Sequence, residues 1–351
     1  MSEVIIKRIN STILIKLNRE KVLNALNLNM VREIFKYMAE WDNDDGISGV
    51  VIKGAGEKAF CAGGDIVSVY HSKNDISSNL SDNFFREEYI LNLAISNFSK
   101  PWVAILNGIA MGGGLGLSVH GSHRIVNEKT KTAMPESAIG LFPDVGGSHF
   151  LSKMKEVGLY LALTGKVMDG QDSMFVGIGT HYINNSKLDL LEEEIINKNN
   201  YKIDFIDDLL NKNSLPVLKG VSSIEKDLEY IKKYFSKKSL IEIFNALKSS
   251  QNDWEQNILD ILFNKSLTSM GVTIRQLKEA KNLSLKECLK MEFRICQAMM
   301  RKHDFYEGVR ANLVDKDRKP KWKPKNILEI DDSLINEYFS ELGKKELFYA
   351  E

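Results

Sequence analysis

Two glycine turns and two acidic residues are the parts of this sequence that could do chemistry. The first turn lies in Phe60-Cys61-Ala62-Gly63-Gly64-Asp65-Ile66. Paired glycines let a backbone N–H approach a ligand with no Cβ in the way, and Asp65 behind them suits the cap of a following helix. The second turn, Met111-Gly112-Gly113-Gly114-Leu115-Gly116, follows an apolar strand and opens a helix. The free N–H groups and positive dipole end of such a start suit a phosphate or a developing oxyanion. Neither turn has the spacing of a dinucleotide or phosphate-loop fingerprint. A capped strand-to-helix turn explains either one alone. As a pair they offer the two converging donors that an oxyanion hole for a thioester or ester carbonyl requires, each worth about 2.7–4 kcal/mol of transition-state stabilisation.

The acidic residues are Glu136 and Asp144, eight positions apart in AMPESAIGLFPDVGGSHFL. The segment is apolar and punctuated by Pro and Gly, whereas a solvated pair would be expected to bring Lys and Glu neighbours. Apolar surroundings raise a carboxyl group's pKa toward the range of a useful acid or base. Helix capping or loop ordering is the competing reading of both residues.

These groups must be carried by regular elements. Residues 4–9 and 12–17 predict a hairpin across Asn10-Ser11. The spacing of Leu28, Val31, Ile34, Phe35, Met38 and Trp41 predicts a helix over 28–41, and 47–53 is a β-branched strand ending at Gly54. Further expected elements are a helix at 81–97, strands at 102–106 and 123–127, a helix from Gly113, and helices at 147–153 and 156–164. From about residue 185 Lys, Asn, Leu and Glu dominate, glycines are few, and helices are expected over 205–212, 222–235, 238–250, 253–265, 272–281 and 284–301. The expected organisation is an α/β core over 1–185 and a helical region over 186–351.

In 351 residues, 47 Lys and Arg balance 47 Asp and Glu and 43% of residues are hydrophobic, which argues against a disordered chain or a basic protein that coats nucleic acid. Cys61, Cys288 and Cys296 form no CxxC pair, which fits a reducing compartment and gives no zinc signature. The uncharged run from Pro101 to Gly121 carries too many glycines, and Asn107, to enter a membrane. The opening MSEVIIKRIN enters a strand pattern by its fourth residue, so the compartment reads as cytoplasmic, or as the mitochondrial matrix where a presequence has been removed. His120, His123 and His303 have no metal-ligand spacing and read as packing or hydrogen-bonding residues.

Taken together, the stretches LNREKVLNALN (17–27), AFCAGGDI (59–66), FFREEYILN (84–92), MGGGLGLSVHG (111–121) and AMPESAIGLFPDVGG (133–147) resemble the enoyl-CoA hydratase/isomerase, or crotonase, superfamily. The distal RKHDFYEGVRANLVDKDRKPKWKP (301–324), with FPDVGG, is similar to the hydrolase branch of that superfamily, whose members cleave 3-hydroxyisobutyryl-CoA in valine breakdown.

The resemblance implies a crotonase-like spiral of β-β-α units with a C-terminal helical region that helps close an acyl-CoA site. It also implies site roles: the amides of Gly64 and Gly113 as the oxyanion hole, Glu136 as the principal catalytic carboxylate and Asp144 as its partner. Glu88 matches a substrate-contacting acid, although a helical Glu in the charged REEY stretch reads by default as solvated. Arg19, Lys21 and Ala62 match the segments that hold coenzyme A, and Lys316, Arg318, Lys319, Lys321, Lys323 and Lys325 form a basic tail near Trp322. Gly116 stands where hydratases carry a second glutamate, which disfavours two-carboxylate hydration. The implied reaction is hydrolysis of an acyl-CoA thioester with no cofactor, coenzyme A being part of the substrate. No metal, nucleic acid or membrane partner is expected, and a homo-oligomer is compatible with the sequence. The rival readings are an enoyl-CoA hydratase or isomerase working with Glu136 alone, and a non-catalytic acyl-CoA-binding or RNA-binding module.

Overall fold

The computed structural model describes residues 2–75, 77–250 and 252–347. The chain divides into two compact units of interleaved segments: unit 1 is Met1–Gly64, Ile90–Ala133 and Val167–Lys226, and unit 2 is Asp65–Tyr89, Met134–Lys166 and Asp227–Glu351. The sequence-based division at 185/186 falls inside the last segment of unit 1.

Among the described residues unit 1 holds nine strands: β1 (Val4–Ile9), β2 (Thr12–Leu17), β3 (Gly49–Gly54), β4 (Ala59–Cys61), β5 (Trp102–Ile105), β6 (Ile109–Met111), β7 (His123–Val126), β8 (Lys131–Ala133) and β9 (His181–Tyr182). They form a six-stranded sheet, β1-β2-β3-β5-β7-β9, and a three-stranded sheet, β4-β6-β8. β1 and β2 are the expected antiparallel hairpin, and every other pairing is parallel. From β3 onward the chain places one strand in the large sheet and the next in the small one, three times over (β3/β4, β5/β6, β7/β8), before β9 returns to the large sheet, which is a spiral of β-β-α turns. The corners are tight. At Gly54 a Cβ would lie 2.3 Å from the Ala59 carbonyl, and at Gly108, with φ 84°, it would lie 2.4 Å from that of Lys58. No side chain fits either place, so the glycines are what let the chain step between sheets.

β3 and β5 are buried along nearly their whole length, as expected of parallel strands covered on both faces. Val51, Val103, Ile105 and Ile125 from these strands and β7 pack against Leu188, Leu191 and Ile195 of the helix Leu188–Asn197 and against Ile206, Leu209 and Leu210 of the helix Ile203–Asn213. That shared core puts residues 186–226 in unit 1. The helix expected over 28–41 is two, Leu28–Phe35 and Met38–Asn43, with a break at Lys36-Tyr37.

Unit 2 is helical. Two of its helices, Gly147–Lys153 and Glu156–Thr164, approach so closely that a Cβ on Gly158 would lie 1.9 Å from the Leu151 carbonyl. Trp254 stacks with Tyr160, Tyr230 and Tyr234. Among the described residues no helix is long and apolar enough to cross a membrane.

Candidate active site

In unit 1 the two glycine turns leave the C-terminal ends of β4 and β6, which are paired neighbours. Each turn uses a glycine at positive φ, Gly63 at 117° and Gly112 at 47°, immediately before the residue whose amide was singled out. That backbone is one L side chains rarely adopt, and it takes the next N–H out of the strand ladder. Among the described residues neither the Gly64 N–H nor the Gly113 N–H has a hydrogen-bond acceptor. The turns touch: a Cβ on Gly63 would lie 3.3 Å from the Met111 carbonyl and 4.0 Å from the Gly113 nitrogen, and one on Gly114 would lie 2.2 Å from the Cys61 carbonyl. Two backbone donors without an acceptor on neighbouring turns are the candidates for the pair that an oxyanion would take. Gly116 closes the short helix Gly113–Gly116 and is buried.

The segment expected to hold coenzyme A is tied to the first turn. Ala62 N–H donates to the Leu23 carbonyl at 3.0 Å, and Leu26 N–H donates to that of Gly63 at 2.8 Å. Arg19 is occupied in shaping this segment: its Nη1 donates to the Ala25 carbonyl at 2.7 Å, and its Nε lies 3.0 Å from Glu3 Oε1. Lys21 is exposed.

Unit 2 gathers the carboxyl groups. Glu136 opens a 3-10 turn, Glu136–Ile139, behind Pro135, and the distal motif grips the back of that turn. Asn312 Nδ2 donates to the Ala138 carbonyl at 2.8 Å and Ser266 N–H to that of Ser137 at 3.2 Å. Gly140 and Gly308 let the helix His303–Val309 meet the turn backbone to backbone, since a Cβ on Gly140 would lie 2.1 Å from the Asp304 carbonyl and one on Gly308 2.4 Å from the Ile139 carbonyl carbon. Glu136 is 6% exposed, Asp144 4% and Glu88 2%, so Glu88 is not the solvated residue its charged neighbours suggested. Asp144 accepts a hydrogen bond from the Tyr89 hydroxyl at 2.7 Å. Glu88 Oε1 and Glu136 Oε2 have no partner among the described residues.

Burial pushes all three acids up. The charge of Asp144 adds to this at Glu88 and Glu136, while Lys265 opposes it at Glu136; Asp144 itself is raised to about 7. Three such groups so placed cannot all ionise at neutrality, and so the cluster holds protons that it can give or take.

Two residues here escaped the sequence reading. Tyr89 drew no notice of its own within the charged REEY stretch. Glu292, fully buried on the helix Leu285–Met299, accepts from Gly146 N–H at 2.7 Å, Ser148 N–H at 2.9 Å and the Ser148 hydroxyl. A lone acid in KMEFRICQAMM, on the face shared by Cys288, Leu289 and Cys296, was the available signal.

The raised acids predict an unusual pH dependence of stability. Their pKa values lie above the unfolded values of about 4, reaching about 7 at Asp144 and about 8 at Glu292. Between those limits the folded state binds more protons than the unfolded one, so stability is full below about pH 4 for these groups and is lost as pH rises through 7 to 8. Thermal unfolding should therefore show Tm falling from pH 5.5 to 8.5. Glu88→Gln, which cannot ionise, should flatten the slope; an unchanged slope would contradict the burial of a titrating Glu88.

Unit 1 is thus an α/β spiral of mostly parallel strands that carries the two glycine turns, and unit 2 a helical body that carries the buried acids. The chain belongs to the enoyl-CoA hydratase/isomerase family, whose model matches residues 12–339. It is 44% identical over 351 residues to a curated relative from Danio rerio named 3-hydroxyisobutyryl-CoA hydrolase, mitochondrial, covering 99% of this chain and 91% of the relative. A Homo sapiens relative of the same name is 43% identical over 349 residues, covering 98% and 90%. A solved structure described as a carnitinyl-CoA dehydratase from Mycobacterium thermoresistibile superposes with a TM-score of 0.91 at 33% identity, over 99% of both chains. The crotonase-like spiral with a C-terminal helical region is thus the fold observed.

Proposed function

We infer that the protein hydrolyses acyl-CoA thioesters and that its substrate is 3-hydroxyisobutyryl-CoA, giving 3-hydroxyisobutyrate and coenzyme A. The observation that carries this is the near-full-length match to relatives named for that hydrolysis. Gly116 supports it, since it has no side chain to supply the second acid of a hydratase.

In this reading the thioester oxygen takes the Gly64 and Gly113 N–H groups as charge develops on it. Glu136 either removes a proton from the attacking water or attacks the carbonyl carbon itself, forming an anhydride that water then opens. In both routes the C–S bond breaks and the departing thiolate takes a proton, which Asp144 supplies. Glu88, buried with an unpartnered oxygen, takes the substrate's 3-hydroxyl. Lys21 is the exposed cation for the coenzyme A phosphates, with Ala62 on the adjoining turn; Arg19 contributes by shaping the segment. The reaction needs water and no cofactor. The relatives' mitochondrial names favour the matrix over the cytoplasm.

Free-thiol release from a panel of acyl-CoAs tests the reading. 3-Hydroxyisobutyryl-CoA should be cleaved, isobutyryl-CoA, which lacks the hydroxyl, should be cleaved more slowly by about 10-fold or more, and crotonyl-CoA should be neither cleaved nor hydrated. Hydration of crotonyl-CoA without thiol release would instead establish the hydratase reading.

A further inference from the structure

The turn that carries Asp144 is held from two helices. Gln276, on the helix Leu267–Ala280, donates through Nε2 to the Pro143 carbonyl at 2.7 Å. Glu292, on the helix Leu285–Met299, uses both oxygens: Oε2 accepts Gly146 N–H, and Oε1 accepts Ser148 N–H and the Ser148 hydroxyl. Between these anchors Val145 sits at φ 52° and Gly146 at φ 81°. A β-branched residue in the left-handed region is strained, and such backbone persists only where its surroundings over-determine it.

We propose that Glu292 is a positioning residue for Asp144, its carboxylate pinning the 143–148 turn so that Asp144 keeps its place against the Tyr89 hydroxyl. The inference rests on the reading of Asp144 as the proton donor of thioester hydrolysis. The other titratable groups around the pair are Tyr89 on the helix Leu80–Asn97, Cys288 and Cys296 on the helix of Glu292, Lys153 acting on Cys288, and Glu88 acting on Cys296.

Glu292→Gln tests it. The amide keeps the volume but turns an NH2 donor toward an N–H donor of the turn, so the turn must shift. The expected result is a kcat lower by about 10- to 100-fold with KM within about threefold, the pattern of a misplaced catalytic group. The double variant Glu292→Gln/Asp144→Asn should be no slower than Asp144→Asn within about twofold, because one residue acts through the other. A single variant above about half of wild-type kcat, or losses that multiply in the double variant, would overturn the proposal. A readout free of turnover separates this from the parent reading. In protein carrying ¹³C-labelled aspartate carboxyls, with Asp144→Asn assigning the signal, the Asp144 titration midpoint should move in Glu292→Gln, because a displaced turn changes the burial of Asp144 and its bond to Tyr89; an unchanged midpoint overturns the proposal even where no acyl-CoA is cleaved. Wild-type protein that releases no thiol would sink the hydrolase reading alone. If Glu292→Gln does not fold, Ser148→Ala removes one hydrogen bond to the carboxylate and should give the same effects at smaller size, again without multiplying those of Asp144→Asn.

Discussion

Glu136→Gln is expected to lower kcat for thioester hydrolysis by about 10²- to 10⁴-fold, the usual contribution of a positioned acid–base group. Glu136 is buried at the head of a turn held by Ser266, Asn312 and Gly308, so a side chain of equal volume finds the same place. Its proton affinity is raised by burial and by the neighbouring acids. The glutamine presents the protonated form's shape with no ability to exchange the proton or to attack carbon. Because the amide also removes an acid that is costly to ionise when buried, the variant should be at least as stable as the wild type at pH 8. Activity lost with stability kept is the signature of a chemical role. A folded variant retaining more than about a tenth of wild-type kcat would remove Glu136 from the chemistry.

The second large effect is expected at Gly114, next to one of the two proposed oxyanion donors. A Cβ there would lie 2.2 Å from the Cys61 carbonyl oxygen and 3.0 Å from the Cys61 carbonyl carbon. Backbone atoms of a strand end cannot rotate away, so Gly114→Ala must push the second glycine turn off β4 and spread the Gly64 and Gly113 amides apart. Loss of one donor of such a pair costs about 10²- to 10³-fold in kcat. Circular dichroism and coenzyme A affinity would establish that the variant is folded. If it is folded and its kcat lies within about threefold of wild type, the two amides do not act as a pair.

Much of this molecule was legible before any coordinates. The β1–β2 hairpin, β3 and β5 declare themselves through alternation or β-branched runs, because a strand long enough to be half-buried or wholly buried repeats its environment along the chain. The glycine turns were visible because Gly63 and Gly112 meet a local demand: positive φ is a property of one residue and its neighbours. Glu136 and Asp144 stood out for an equally local reason, acids in an apolar stretch broken by Pro and Gly.

What only the tertiary structure decided is everything set by contact between distant segments. The small sheet β4-β6-β8, whose first two strands deliver both turns, is made of three-residue strands too short to show any period. They are strands only because each finds its partner about fifty or twenty residues away. Glu88 read as solvated from its charged neighbours, and folding buried it. The same holds for Tyr89, 55 positions from the Asp144 it bonds, and for Glu292, about 145 positions from the turn it holds. A sequence declares what each residue can do within a few neighbours; which buried acid faces which is fixed when apolar burial brings remote helices together and leaves polar groups no partner except one another.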